Sequence, residues 1–382
     1  MNSSKKITVF FPRIDGTLWM GGKLYFENLV NLVQSYYPNV TFFETHFDHS
    51  SFFPDNNSLF VRIRRKITGV TYMDEHRNTV REFYRKKAGD SIPVLFSNSV
   101  IKETGGIPYL FWIPDFQFMH LKEFASPAYL KSCEANARAG AGSADLVMLS
   151  SNDALQDYAT LLPEFISKAK VVPFAKKISA SFLNQDSIEV ISKYKLPSTF
   201  FYVSNQFWKH KNHIVVINAL KILNERGLKF SVVFSGQTHD ARNPTYFEEL
   251  LEYIEKSKLQ QQVFILGLIP YADVVSLIRE CVAVINPSKF EGWNSAVEEV
   301  KSIGKKMLLS DIAVHHEQID DEAAFFQPDR PEELAEIMIR TMSVNNFEDD
   351  TDNIINAQKE YQLNEQKFAK TFYQLLESSI VK

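Results

Sequence analysis

The sequence predicts an α/β protein of two domains, each built on a mostly parallel sheet, and three observations carry that expectation. Its 382 residues exceed what one ordinary hydrophobic core holds. Short apolar runs alternate with amphipathic stretches, which is the rhythm of strand–helix–strand units. Near the middle, the polar and irregular stretch Ala175–Pro197 interrupts that rhythm and reads as a linker.

In the first half the candidate strands are Ile7–Phe11, Val40–Phe43, Pro93–Ser97, Tyr109–Ile113, Leu146–Ser150 and Val171–Phe174. Between the first two, Leu24–Tyr36 carries Leu29, Val30, Leu32 and Val33 at helical spacing. The second half repeats the pattern with strands at Phe200–Ser204, Ser231–Ser235, Val263–Leu266, Val282–Ile285, Met307–Ser310 and Ala324–Phe326. Helical segments follow from His213, Tyr246, Tyr271, Ser295 and Pro331, and the acidic stretch Val344–Asn353 reads as a loop before a terminal helix. Two Rossmann-like domains are the expectation.

Composition excludes several classes of function. A 45% hydrophobic, 23% charged chain is a globular protein that dissolves in water. The 31 Phe and 15 Tyr fall mostly in strand-like runs such as Thr199–Val203, so they read as core. A net charge of −4 argues against a dedicated nucleic-acid binder. Cys133 and Cys281 lie far apart without metal-ligand spacing, as expected of buried thiols in a reducing compartment. No signal-peptide pattern precedes Ile7, and no apolar run approaches the ~20 residues that span a bilayer. A cytoplasmic location is expected.

The most informative stretch is Asn286–Val300, which leaves an apolar run and opens a helix. Ser295 and Glu298 have capping-box spacing, so Ser295 is the expected cap and Glu298 its partner. Ala296, Val300 and Ile303 form the inward stripe, and Glu299 falls inside it. A carboxylate on an inward face is costly unless something binds it. Glu291 precedes the helix in the loop, beside Gly292. Two carboxylates with free backbone N–H groups between them suit a polyhydroxylated, phosphate-bearing ligand.

Glu291, seven residues, then Glu299, within Pro-Ser-x-Phe-Glu-Gly-Trp-Asn and followed by Gly304–Asp311, resembles the E-x7-E signature of family 4 retaining glycosyltransferases. That resemblance implies the GT-B fold, two Rossmann-like domains whose parallel sheets face each other across a cleft. Residues 1–175 would then bind the acceptor, with helix 360–382 packing back onto them, and residues 198–345 would bind a nucleotide diphosphate sugar. By the same resemblance, Glu299 would hold the ribose hydroxyls and Glu291 the donor sugar. Backbone N–H groups of Gly292, Trp293, Asn294, Ser295 and Ala296, with Lys211, would meet the diphosphate, with no metal ion and no cofactor.

Three further segments match the family in part. Gln206–His213 places Lys209 and Lys211 before a helix N-terminus, a favourable place for phosphate. Lys211-Asn212 resembles the family's Lys-Asn motif, but Gln206 stands where relatives carry an Arg, leaving Lys209 or His210 to replace that charge. Gly21-Gly22 reads as a loop between strand and helix and resembles the family's glycine loop over the donor phosphates. Asp115 and His120, at the end of a strand, are candidates for positioning sugar or acceptor, although relatives often have His where this chain has Phe118.

Other clusters read as ordinary. Asp349–Asp352 lies in a polar stretch away from any strand end. Arg62–Lys66 and Arg81–Lys87 read first as solvated faces and second as contacts for anionic lipid or a phosphorylated acceptor, which would put the chain peripherally on the inner face of the cell membrane. The adjacent His315 and His316 point in different directions and are no metal pair. A sugar transferase in polysaccharide or lipopolysaccharide synthesis, acting on a glycan or lipid-linked glycan, is therefore the leading expectation. A sugar-nucleotide epimerase or phosphorylase of similar architecture, and a two-lobed binding protein, are its rivals.

Overall fold

The computed structural model describes residues 5–13, 20–47, 72–184, 186–240, 242–319, 325–343 and 351–381. The chain divides into two compact units. The first comprises Met1–Phe116, Ala128–Pro173 and Gln366–Lys382, and the second Gln117–Pro127 and Phe174–Glu365. The Arg62–Lys66 run, Asp349 and Asp350 lie outside the described residues. No described helix is long and apolar enough to cross a membrane.

Six parallel strands form the first unit's sheet: β1 (Ile7–Pro12), β2 (Val40–Thr45), β3 (Ile92–Ser97), β4 (Tyr109–Ile113), β5 (Leu146–Leu149) and β6 (Ala169–Val171). Their order is β2-β1-β3-β4-β5-β6. Every residue of β4 is buried, as expected of a parallel strand covered on both faces. Helix Pro127–Ser143 crosses β4 at Gly140, where a Cβ atom would lie 2.2 Å from the Phe111 ring. The last part of helix Thr351–Ile380 closes this unit with aromatic rings, Tyr373 stacking on Tyr37 at 4.2 Å and Phe372 meeting Phe96 edge-on at 5.4 Å.

The second unit repeats the plan with β7 (Phe201–Val203), β8 (Val232–Phe234), β9 (Val263–Ile265), β10 (Val284–Asn286), β11 (Met307–Ser310) and β12 (Phe325–Phe326). The order is β12-β11-β10-β7-β8-β9, again parallel. From β7 the chain winds outward to β8 and β9, then returns to the other side as β10. The carboxyl ends of β7 and β10 are therefore neighbours whose connections diverge, which opens a crevice at that strand pair. Backbone crowding there is tight. Gly236 has φ +143°, and a Cβ atom on it would lie 2.3 Å from the Asn205 carbonyl oxygen.

Several elements differ from the sequence expectation. The strand expected at Val171–Phe174 runs Ala169–Val171, since Pro173 has no N–H for the ladder. The stretch read as a linker holds two short helices, Ala180–Leu183 and Ser187–Lys193, the second capped by Asp186 accepting from the Ile188 N–H at 2.9 Å. Ile178, Val190 and Leu196 are buried in the second unit's core with Phe200 and Tyr202, so this segment belongs to a domain. Gly21 and Gly22 lie in the first turn of helix Met20–Tyr36, not in a loop. First-turn N–H groups lack intrahelical acceptors, so the two glycines occupy the part of the helix where backbone donors are not used by the helix itself. Thr351 begins the terminal helix inside the stretch read as a loop.

Candidate active site

The loop after β10 carries Glu291 and the loop after β7 carries Lys211, so the strand order alone brings them together. Lys211 Nζ lies 2.6 Å from Glu291 Oε1. Three contacts fix the two loops: the Lys289 N–H donates to the His210 carbonyl at 2.8 Å, and Asn212 Nδ2 donates to the carbonyls of Pro287 at 3.1 Å and Pro328 at 2.7 Å. Asn212 takes left-handed backbone angles, φ 57° and ψ 38°, which Asn tolerates better than most residues. That turn ends the short 3-10 helix Lys209–Lys211 and starts helix His213–Glu225.

Helix Ser295–Lys301 begins as expected but has a different cap. Asn294 Oδ1 accepts from the N–H groups of Ala296 at 3.0 Å and Val297 at 3.3 Å, while Ser295 is exposed. The same Asn294 side chain donates from Nδ2 to Glu291 Oε1 at 3.1 Å, so one residue both caps the helix and orients the loop carboxylate. Asn is as good a cap as Ser, and here it also gains a charged acceptor. Two of the N–H groups expected to face a diphosphate are thereby used, that of Ala296 by Asn294 and that of Asn294 by Gln318 Oε1 at 3.3 Å. Those of Gly292, Trp293 and Ser295 have no acceptor among the described residues.

Glu298 is not a capping partner. It is 2% exposed, accepts from Gln318 Nε2 at 2.7 Å and from the Tyr361 hydroxyl, and burial raises its carboxyl above the ordinary range. Moving the cap back to Asn294 puts Glu298 one position deeper, where it faces the terminal helix instead of the helix N-terminus. Glu299 does lie inward, and its Oε1 receives Lys176 Nζ at 2.5 Å and the Tyr271 hydroxyl at 2.6 Å. Trp293 donates its indole N–H to the Phe174 carbonyl at 2.9 Å, fastening the segment that carries Lys176.

His210 does not replace the missing arginine charge at Gln206. It is 4% exposed, and burial, with help from Lys211, Arg242 and His213, lowers its pKa to about 2, so it is neutral near pH 7. Lys209 is exposed at the start of the same 3-10 helix. Burial likewise lowers His213 to about 3, and its ring stacks on Phe207 at 4.4 Å. The two C-terminal histidines diverge as expected. His315 is buried with Nδ1 2.8 Å from the Ser310 carbonyl, and exposed His316 meets Asp311 at 2.7 Å.

His120 stacks on Phe290, the neighbour of Glu291, with ring centroids 5.0 Å apart. Asp115, half-buried, and Gly21 and Gly22 belong to the first unit, at the ends of β4 and at the helix following β1. Arg81 is structural, its Nε donating to the Gly105 carbonyl at 2.7 Å. Among the described residues no cluster of three or more His, Cys, Asp or Glu is placed to hold a metal ion. Sequence reasoning missed Lys176 and Tyr271, which lie 123 and 28 positions before Glu299 and have no local pattern tying them to it.

Residues 184–360 match the model of the family described as glycosyl transferases group 1. The matched segment covers 177 of the chain's 382 residues and lies within the second unit. No curated protein matches the chain significantly. Among solved structures, HepE from Anabaena, in complex with UDP and glucose, is 15% identical with a TM-score of 0.66, covering 97% of this chain and 99% of that one. A glycosyltransferase from Rickettsia africae is 15% identical at TM-score 0.65, covering 99% and 100%. Sucrose-phosphate synthase from Thermosynechococcus elongatus is 14% identical at 0.65, covering 97% and 98%. Such likenesses speak for the fold, which is GT-B. Glu291, Lys211, Asn294 and Glu299 all fall within the matched segment, on the loops and helices that follow β7 and β10.

Proposed function

We propose that the chain is a metal-independent, anomer-retaining glycosyltransferase that moves a sugar from a nucleotide diphosphate donor to a hydroxyl of a glycan or lipid-linked glycan. The observation that carries this reading is the pair of carboxylates, Glu291 and Glu299, each held by a lysine ammonium at the divergent strand ends of the matched domain. The complexes of HepE with UDP and glucose and with UDP-glucose favour a uridine nucleotide as donor. Its setting would be surface polysaccharide or lipopolysaccharide assembly, in the cytoplasm or on the membrane's inner face.

In this reading Lys211 and the N–H groups of Gly292, Trp293 and Ser295 take the diphosphate. Charge is then stabilised by groups already oriented before the reaction. Glu299 accepts from the ribose hydroxyls, and Glu291 from the sugar hydroxyls, opposite the positive charge that develops at the anomeric carbon. The bond from that carbon to the diphosphate oxygen breaks, the bond to the acceptor oxygen forms, and the acceptor's proton passes to the departing phosphate. His120 and Asp115 would position sugar or acceptor, and Gly21 and Gly22 would approach the donor phosphates.

The test supplies sugar nucleotides of several bases with glycan acceptors and follows nucleotide release, with and without EDTA. Glu291→Gln should lower kcat on the order of 10²–10³-fold, the loss typical of one stabilising group. Wild-type turnover by that variant, or an inverted anomeric signal in the product's NMR spectrum, would overturn the mechanism. Loss of activity in EDTA would overturn the metal-free reading.

A further inference from the structure

Glu299 is clamped by two groups for which the donor reading supplies no task. Lys176 Nζ and the Tyr271 hydroxyl both meet Oε1, at 2.5 and 2.6 Å. Oε2 has no partner among the described residues. Lys176 is itself held firmly, because its segment is pinned along its length. The Phe174 carbonyl accepts from Trp293 at 2.9 Å, the Lys176 N–H donates to the Tyr361 hydroxyl at 3.0 Å, and the Ile178 N–H donates to Ser302 Oγ at 3.0 Å. Its ammonium lies 5.5 Å from the Tyr271 ring centroid, and Phe182 meets that ring edge-on at 5.0 Å. Each part of the clamp is thus fixed from a second direction.

We propose that Lys176 and Tyr271 are positioning residues for ribose recognition, saturating one oxygen of Glu299 and aiming the other at the ribose hydroxyls. This rests on the donor reading of Glu299. A carboxylate on a short side chain arm can rotate, and each oxygen accepts two hydrogen bonds. With Oε1 filled by an ammonium and a hydroxyl, the acceptor capacity left is that of Oε2, in one fixed direction. Such support by surrounding groups is what converts a present carboxylate into a selective one. Burial, then the Glu299 charge, push the Tyr271 hydroxyl well above its ordinary range, so it remains a donor to Glu299. Neither residue touches the reacting atoms, and both act through Glu299.

The proposal predicts discrimination between a ribonucleoside diphosphate and its 2′,3′-dideoxy analogue, measured by calorimetric titration. The probes are UDP, GDP and ADP with their dideoxy forms, using whichever ribonucleotide wild type binds most tightly. Wild type should prefer the ribonucleotide on the order of ten- to a hundredfold, the value of hydrogen bonds to a charged acceptor. Lys176→Met should bring that preference within about threefold, Tyr271→Phe should reduce it partway, and Lys176→Arg should restore most of it. In turnover the loss should appear in KM and leave kcat nearly unchanged. Tyr271→Phe removes only a hydroxyl and keeps the test available where Lys176→Met lowers the melting temperature too far. A preference that persists in folded Tyr271→Phe and Lys176→Met, yet collapses in Glu299→Gln, overturns the clamp and leaves the Glu299 reading standing. A preference that survives Glu299→Gln overturns the ribose role of Glu299, and failure of wild type to bind any of the nucleotides overturns the donor reading itself.

Discussion

Both sheets are parallel and wound outward from a central strand pair, the first turning back after two described strands and the second after three, and their strand ends are furnished differently. In the first unit, aromatic rings gather around β1, β3 and β4. Tyr25 stacks on Trp112 at 4.1 Å, Phe26 packs on Phe11 at 5.5 Å and on Phe96 at 5.3 Å. In the second, the ends of β7 and β10 carry the partly buried ion pair Lys211–Glu291 and a series of fixed amides. Topology therefore supplies the crevice, and side chains decide what enters it. One unit is held there by shape and apolar contact, the other by charge and hydrogen bonds, and the two should fail in different ways.

The largest expected effect is on the charged side. Lys211→Met strands the Glu291 carboxylate, whose side chain is only 9% exposed, and should cost about 3–5 kcal/mol of stability. Urea unfolding measures it, and a cost under about 1 kcal/mol would show that water already solvates Glu291. Donor binding should be lost as well. On the apolar side, Gly140→Ala should cost about 1–3 kcal/mol by forcing Phe111 from its place. Nucleotide affinity should be unchanged, and a weakened affinity would break the separation drawn between the units.

The effect that builds most gradually is a pH slope. His210 and His213 are held near pKa values of about 2 and about 3 by burial, below the usual value of 6.5. The unfolded chain therefore binds more protons than the folded one between those limits, so stability rises with pH up to about 6.5 and falls on acidification. His210→Asn should remove up to about 1.4 kcal/mol per pH unit of that slope, seen as a flatter melting temperature from pH 4 to 6.5. An unchanged slope would mean that His210 is already protonated in the fold.

Much of the fold was legible because parallel strands buried on both faces must be continuous apolar runs. Tyr109–Ile113 and Met307–Ser310 were readable to the residue. Less legible were short elements stabilised by distant partners. The helix Ser187–Lys193 looked like a polar linker because only Val190 and its neighbours in space reveal an inward face. Gly21-Gly22 looked like a loop because glycine is a poor helix former, and position in the first turn, where backbone donors are free anyway, overrode that preference.

At the site the division is similar. Sequence by itself determined the strand–loop–helix unit, the inward place of Glu299 and the loop place of Glu291, because helical periodicity and turn chemistry are local. Only tertiary structure decided which acid serves which purpose. Glu298 and Glu299 are adjacent in the chain, yet Gln318 and Tyr361 seal the first while Lys176 and Tyr271 clamp the second and leave one oxygen open. Those partners come from positions scattered along the second unit. The physical reason is that a buried carboxylate takes its state from whatever donors surround it, and sheet topology brings those donors together from distant parts of the chain.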